Sequence, residues 1–175
     1  MATSSPVCDF GWLAVDFELE DTQGARHSLA TLRGPQGLLL MFICNHCPYV
    51  KAIIDRLCRD ARQVQALGFG VAAIMSNDPA DYPEDSFANM QRIARQLDFP
   101  FPYLYDATQD VARAYGAVCT PDFFAFNRRL ELQYRGRLDA SGRLPAGPEV
   151  RRELVEAMQL IAETGRGPAD QTASI

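Results

Sequence analysis

Uninterrupted apolar stretches occur at three places in this chain, over residues 38–43, 69–75 and 123–126. Strands that are covered on both faces of a sheet have this composition, because neither face needs polar side chains. Residues 103–105 form a shorter segment of the same kind. We predict a strand at each of the four places.

Between these strands, apolar residues recur at intervals of three and four, as on one face of an amphipathic helix. The longest such segment runs from Val50 to Leu67, and Gly68 follows it as a typical helix stop. Three further segments show the same spacing: 87–97, 108–115 and 148–161. We predict a helix in each of them.

Alternation of apolar and polar residues predicts two hairpins. Residues 17–20 alternate, Gly24 lies in a turn, and residues 25–29 supply the returning strand. Residues 130–134 alternate as well, and we expect this half-buried strand to pair with residues 123–126.

The order of these elements predicts an α/β protein with a mixed central sheet and helices on both faces. The sequence contains neither an internal repeat nor a linker that would divide it. We therefore assign residues 1–163 to a single domain and residues 164–175 to a flexible C-terminal tail. Arg135 and Arg137 are expected to point to solvent from the last strand.

Composition and charge exclude some classes of function. The chain has 175 residues, of which 47% are apolar and 22% charged, and its formal net charge is −5. Lys51 is the only lysine and basic residues form no run, so neither nucleic acid nor an anionic membrane is expected as a partner. The N-terminal residues lack the features of a signal peptide, which predicts a cytoplasmic location.

Cysteines are present in an odd number, at positions 8, 44, 47, 58 and 119. In a chain predicted to stay in the reducing cytoplasm, they are not expected to form a disulfide framework. Cys44 and Cys47 stand two residues apart where a predicted strand gives way to a predicted helix. A CxxC pair in this setting indicates redox chemistry.

The physical chemistry of a helix N-terminus assigns roles to this pair. If the helix begins directly after the strand, free N–H groups and the helix dipole stabilise a thiolate on Cys44. CxxC thiols in such settings have pKa values of about 3.5 to 7, against about 8.5 for a free cysteine. We expect Cys44 to be the nucleophile and His46 to tune it. Cys47, one turn into the helix and better shielded, would resolve the mixed disulfide.

Two other uses of the pair stay open. A structural zinc site needs four nitrogen or sulfur ligands, and the sequence offers one close pair with scattered cysteines and two histidines. Two cysteines can also simply fill a core, although a CxxC pair that opens a helix is an unusual way to do so. We expect neither a metal nor another cofactor.

Taken together, the motifs resemble the thioredoxin superfamily, and more narrowly the redoxin and AhpC/TSA families. The similarity covers roughly residues 9–163 and lies in the order and spacing of several segments. These segments are Phe17-x-Leu19-x-Asp21-x-x-Gly24, LLLMFICNHCPYVKA from Leu38, Asn77-Asp78-Pro79, Tyr115-Gly116-Ala117-x-x-Thr120-Pro121-Asp122-Phe123-Phe124 and Tyr134-Arg135-Gly136-Arg137.

The resemblance implies a thioredoxin fold with an additional N-terminal β-hairpin. It implies that Thr120-Pro121 is a cis-proline site which packs beside the CxxC pair and helps to present the substrate backbone. The histidine before the second cysteine is similar to that of oxidising members with CPHC or CGHC motifs. The implied activity is thiol–disulfide oxidoreduction. Its substrates would be protein or small-molecule disulfides, and its reductant a thioredoxin system or glutathione.

Peroxide reduction by a thiol peroxidase with antioxidant activity is the alternative that the same resemblance implies. Peroxidatic cysteines are often followed by proline, as Cys47 is by Pro48, but Cys44 replaces the Thr or Ser expected three residues earlier. A redox-inert adaptor with the same fold is a third alternative. Cys119, two residues before Pro121, is either a third redox thiol or a small buried residue.

Overall fold

The computed structural model describes residues 3–175, which form a mixed sheet with helices on both of its faces. The strands are β1 (Leu19–Asp21), β2 (Arg26–His27), β3 (Gly37–Phe42), β4 (Phe69–Met75), β5 (Tyr103–Tyr105), β6 (Asp122–Asn127) and β7 (Leu132–Tyr134). The helices are α1 (Leu29–Leu32), α2 (Pro48–Ala66), α3 (Phe87–Gln96), α4 (Asp110–Tyr115) and α5 (Glu153–Thr164). A short 3-10 turn covers Pro83–Asp85.

The strands lie in the order β2-β1-β5-β4-β3-β6-β7. β4 and β5 are parallel, whereas β1 pairs with β5, and β6 with both β3 and β7, in antiparallel fashion. β3 lies beside β4, and Ile43 directly after it donates its N–H to the carbonyl of Ile74 at 3.0 Å. This topology confirms the predicted thioredoxin-like sheet, and the pairing of Leu19 with His27 confirms the N-terminal hairpin.

A hydrophobic core covers each face of the sheet, because side chains alternate along its strands. Leu39 and Met41 of β3 join the cluster formed with α2, α3 and α5. Leu38 and Leu40 point the other way and join the cluster formed with α1 and α4. The uninterrupted apolar composition of β3 is thus explained by burial on both sides.

Two boundaries near the N-terminus differ from the prediction. The returning strand of the hairpin ends at His27 rather than at residue 29, and Leu29 begins the short helix α1. The Ser28 N–H donates to the hydroxyl of Thr31 at 2.9 Å, and this capping contact favours a helical turn over an extended strand. Leu29 and Leu32 both reach the core from this turn.

The C-terminal part of the structure differs more strongly from the prediction. α5 begins at Glu153 rather than at residue 148, and the segment after it packs against the sheet. Arg137 donates its N–H to the carbonyl of Thr172 at 2.8 Å, and the Ser174 hydroxyl donates to the carbonyl of Pro121 at 2.5 Å. Ser174 is 1% exposed. The segment predicted to be a flexible tail is therefore bonded to the loop beside the cysteines.

Within residues 3–175, no helix combines the length and the apolar character that crossing a bilayer requires.

Candidate redox-active site

Cys44 and Cys47 bound the tight CNHC turn (residues 44–47) that joins β3 to α2. α2 begins at Pro48, so Cys47 is its N-cap residue. Proline is favoured at the first helical position, and it drives the preceding residue into the extended conformation seen at Cys47. The helix therefore does not begin directly after the strand, and the condition that placed its N-terminus at Cys44 is not met.

Burial of the two sulfurs also reverses the expected order. Cys44 is 2% exposed and Cys47 is 9% exposed, so the first cysteine is the better shielded one. The prediction that Cys47 is shielded inside the helix is wrong. Both reasons for placing the nucleophile on Cys44 are thereby lost.

The loop at Thr120 and Pro121 lies against both sulfurs. The peptide bond between these residues is cis, as the resemblance implies. The Thr120 hydroxyl lies 3.4 Å from Cys44 Sγ, and the Thr120 carbonyl oxygen lies 3.3 Å from Cys47 Sγ. One residue of this loop thus contacts both members of the cysteine pair.

The environment makes the two thiols unequal in acidity. A hydrogen bond from Cys44 lowers the pKa of Cys47 to about 5 against the opposing effect of burial, and the N–H groups of Tyr49 and Val50 contribute to the lowering. The same bond raises the pKa of Cys44, and burial and the charge of Asp85 raise it further. These contacts favour the negative charge on Cys47 and the proton on Cys44 in the reduced pair.

One contact opposes ionisation of Cys47. Its thiol can donate to the carbonyl oxygen of Thr120 at 3.3 Å, and a thiolate cannot. The thiolate instead accepts from the Cys44 thiol and from the first N–H groups of α2. Because hydrogen bonds to an ionised group are about twice as strong as neutral ones, we expect the thiolate to be favoured.

Asp85 holds the CNHC turn from the opposite side, and sequence reasoning missed it. Its carboxylate is fully buried and accepts from the N–H groups of Asn45 at 2.7 Å and of His46 at 3.1 Å. The His46 ring and the Asn77 amide donate to its second oxygen at 2.5 and 2.9 Å. The acidic residues after β4 could have suggested such a partner, but the sequence gives no sign of which one turns inward.

His46 is fixed between Asp85 and Tyr82. Its Nδ1 faces Asp85 Oδ2, and its ring stacks on the Tyr82 ring with the centroids 4.3 Å apart and the planes 8° from parallel. Its side chain is 28% exposed. The imidazole therefore has a defined orientation beside the pair, as a tuning role requires.

A groove of about 740 Å³ opens over the second cysteine. Cys47 lies in its wall, whereas Cys44, which is almost fully buried, lines a separate and smaller pocket of about 230 Å³. Tyr82 and Val118 are half-exposed on the rim, and Arg113 contributes a positive charge. An extended peptide or a small disulfide in this groove would meet Cys47 first.

The remaining cysteines have less acidic thiols. Cys119 lines the same groove, and burial raises its pKa to about 12. Cys58 is buried on α2, and burial raises its pKa to about 11. Burial also raises the pKa of Cys8 to about 11. The role of Cys119 as a third redox thiol stays a prediction.

Arg135 anchors the far end of the Thr120–Pro121 loop, and the prediction that it points to solvent is wrong. It is 7% exposed and donates to Asp122 Oδ2 and to the carbonyl of Gly116, each at 2.8 Å. Its guanidinium carbon lies 4.3 Å from the centroid of the Phe124 ring. The alternation puts it on the face of Gln133, which is buried as well, because the C-terminal segment bonds to both residues.

Among the described residues, ligand atoms of Cys44, His46 and Asp85 lie within 4.8 Å of one another, close enough for one metal ion. Both oxygens of Asp85 already accept hydrogen bonds from the turn and from Asn77. A metal ion would have to displace the His46 contact, so these residues fit a metal site poorly.

A mixed sheet, a CxxC pair at the head of a helix and a cis-proline loop that contacts both sulfurs define a thioredoxin-like protein. Within that class, the profile of the AhpC/TSA family matches residues 11–135. The chain therefore belongs to the AhpC/TSA family, which confirms the resemblance found in its motifs.

Solved structures share the fold of this chain. The chain is 41% identical to an uncharacterized conserved protein from Geobacillus kaustophilus, covering 99% of this chain and 93% of that one with a TM-score of 0.92. It is 34% identical to a hypothetical protein from Sinorhizobium meliloti, covering 100% and 95% with a TM-score of 0.89. A secreted disulfide oxidoreductase from Mycobacterium tuberculosis, 19% identical over 67% and 80% of the two chains, shares the fold with a TM-score of 0.55. Curated protein sequences give no significant match.

Proposed function

We propose that the protein is a thiol–disulfide oxidoreductase in which Cys44 and Cys47 alternate between dithiol and disulfide. The observation that carries the proposal is the contact of Thr120 with both sulfurs, one of which faces an open groove. Membership of the AhpC/TSA family and the thioredoxin-like fold support it.

In the proposed reaction, the Cys47 thiolate attacks one sulfur of a substrate disulfide. A bond forms between Cys47 Sγ and that sulfur, and the other substrate sulfur leaves as a thiolate that takes up a proton from solvent. The place of Cys47 in the groove wall and its N-cap position support this assignment, which reverses the one expected from the sequence.

Cys44 then resolves the mixed disulfide. It loses its proton, attacks Cys47 Sγ, and releases the second substrate sulfur as a thiol, so that two electrons pass from the protein to the substrate. The negative charge of Cys47 has by then disappeared into the mixed disulfide. One cause of the raised pKa of Cys44 is thus removed when the proton has to leave.

His46 tunes the pair in this proposal, and Thr120 and Pro121 shape the surface on which the substrate lies. A thioredoxin system or glutathione would return the disulfide to the dithiol, and the cytoplasm is the proposed location. Cys119 lies in the groove wall but is not needed for the two steps.

The test combines mass spectrometry with trapping. Oxidation of the protein with oxidised glutathione should remove two hydrogen atoms and link Cys44 to Cys47. Cys44→Ser should accumulate a mixed disulfide on Cys47, whereas Cys47→Ser should not react at residue 44. The matched control Cys8→Ser should keep wild-type turnover. A mixed disulfide trapped on Cys44 instead would show that Cys44 is the nucleophile. If no disulfide forms between Cys44 and Cys47, the protein would be a redox-inert adaptor.

Peroxide reduction is the second candidate, and the position of Cys47 favours it. Cys47 precedes Pro48, opens to the groove and has a lowered pKa. Attack on hydrogen peroxide would give a sulfenic acid on Cys47 and water, and condensation with Cys44 would give the disulfide and a second water. Fast, saturable peroxide consumption by wild type that is lost in Cys47→Ser would favour peroxide reduction over thiol–disulfide oxidoreduction.

A further inference from the structure

Asp85 is one of three buried aspartates that pair with no arginine among residues 3–175; the others, Asp21 and Asp106, are held by backbone N–H groups with His27 and with Ser76. The buried Asp60, Asp122 and Asp139 each pair with at least one arginine. In the part of the chain that the structure describes, the donors to Asp85 are two backbone N–H groups, an amide and the His46 ring. Its negative charge is therefore spread over the CNHC turn and is not neutralised by a permanent cation.

The negative charge of Asp85 also acts differently on the two sulfurs. An oxygen of Asp85 and a ring nitrogen of His46 lie within 4.8 Å of Cys44 Sγ, and Cys47 is outside this group. A carboxylate at such a distance disfavours a second negative charge. Cys44 is therefore held as a thiol, which can donate its hydrogen bond to Cys47.

Other titratable groups around Cys44 do not offset this effect. The Tyr103 hydroxyl donates to Asn45 at 2.8 Å, and burial raises the pKa of this phenol well above its ordinary value, so it stays neutral. Glu84 and Lys51 form an exposed pair at 3.0 Å. Arg92 lines the pocket beside Cys44, but its guanidinium donates to Asn89 and Gln96. The Nδ1 of His46 is directed at Asp85.

We propose that Asp85 is the positioning residue of this site. It holds the CNHC turn through Asn45 and His46, and its charge keeps the proton on Cys44 so that the thiolate forms on Cys47. The role rests on the proposed function, since it concerns the same two thiols, but it can be measured without a substrate.

The substitution Asp85→Asn removes the negative charge of the side chain and keeps its shape. The amide oxygen can still accept from the N–H groups of Asn45 and His46, and the amide N–H can face a His46 nitrogen that carries no proton. The side chain of Asn77 can rotate its amide to accept where it now donates. The variant is therefore expected to fold, and circular dichroism of the aromatic side chains checks this.

The experiment titrates Cys44 alone, in a Cys47→Ser background with and without Asp85→Asn. The Cβ chemical shift of Cys44 in cysteine-labelled protein reports its ionisation at every pH. We expect the Asp85→Asn change to increase the acid dissociation constant of Cys44 at least tenfold, a fall of about one pKa unit or more. Glu84→Gln removes a neighbouring exposed charge and should leave the constant unchanged.

An unchanged titration in folded Asp85→Asn protein, or an equal change in Glu84→Gln protein, would overturn the proposal. A second measurement needs no variant. Nitrogen chemical shifts of the wild-type His46 ring should show Nδ1 carrying a proton, and a ring with unprotonated Nδ1 would also overturn it. If the Cys44–Cys47 disulfide never forms but Cys44 titrates as expected, the proposed function fails and the role of Asp85 stands.

Discussion

Two buried aspartates flank the cysteine pair, and they are held in different ways. Asp122 follows the Thr120–Pro121 loop and faces Arg135 in an ion pair at 2.8 Å. Asp85 lies beneath the CNHC turn and faces backbone N–H groups and His46. A charge that is paired with a cation acts locally as a structural anchor, whereas one held by neutral donors extends its field to the thiols.

The largest expected loss of stability comes from removing Arg135, the cation that pairs with Asp122. Arg135→Met leaves a buried carboxylate without its partner and also removes the bond to the Gly116 carbonyl. Breaking a buried pair in this way costs about 3–5 kcal/mol. Urea unfolding should show this loss, and the double variant Arg135→Met with Asp122→Asn should recover part of it. A loss below about 1 kcal/mol would show that Arg135 is not a structural anchor.

Truncation on the Asp85 side should cost less stability. Asp85→Ala leaves the N–H groups of Asn45 and His46 without their acceptor, and each unsatisfied buried donor costs about 1–3 kcal/mol. We expect a loss of about 2–4 kcal/mol by urea unfolding. Asp85→Asn, which retains an acceptor oxygen, should lose clearly less. Equal losses in the two variants would mean that the hydrogen bonds to the turn contribute nothing.

The acidity of Cys47 should make stability depend on pH. Its pKa is about 5 in the folded protein, against an ordinary value of 9.0. Between these values the unfolded chain binds a proton that the folded protein does not, so stability of the reduced protein rises with pH and is lost as pH falls through about 5. Because solvent screens a sulfur at a groove wall, we expect a rise of about 1–2 kcal/mol. Cys47→Ser should flatten the profile, and an equally steep profile in that variant would assign the effect to another group.

The smallest expected effect comes from replacing His46, which lies between Asp85 and Tyr82 beside the cysteine pair. His46→Ala removes the ring that stacks on Tyr82 and donates to Asp85. We expect the pKa of Cys47 to rise by about half a unit, or about 0.7 kcal/mol, because Asp85 loses one of its donors and its negative charge then acts more strongly on the nearby thiols. The pH dependence of Cys47 alkylation measures this shift. An unchanged profile would remove His46 from the mechanism.

The N-terminal and C-terminal halves of the site differ in how far they could be predicted. β3, α2 and the CxxC pair between them were predictable, because apolar periodicity and the cysteine spacing are local signals. The periodicity bounds the start of α2 only between the end of the strand and Val50, and the helix begins at Pro48. Proline is favoured at the first helical position, so Pro48 is the local signal for this start.

The sequence alone determined the strands and main helices, the mixed sheet, the family and the identity of the cysteine pair. Each of these depends on residue types within a short segment or on the order of segments. Tertiary structure alone decided that Asp85 lies beneath the turn, that Arg135 turns inward, and that Ser174 bonds to Pro121. Such contacts join residues 13 to 53 positions apart. A polar side chain gives no local sign of which distant partner will compensate for its burial.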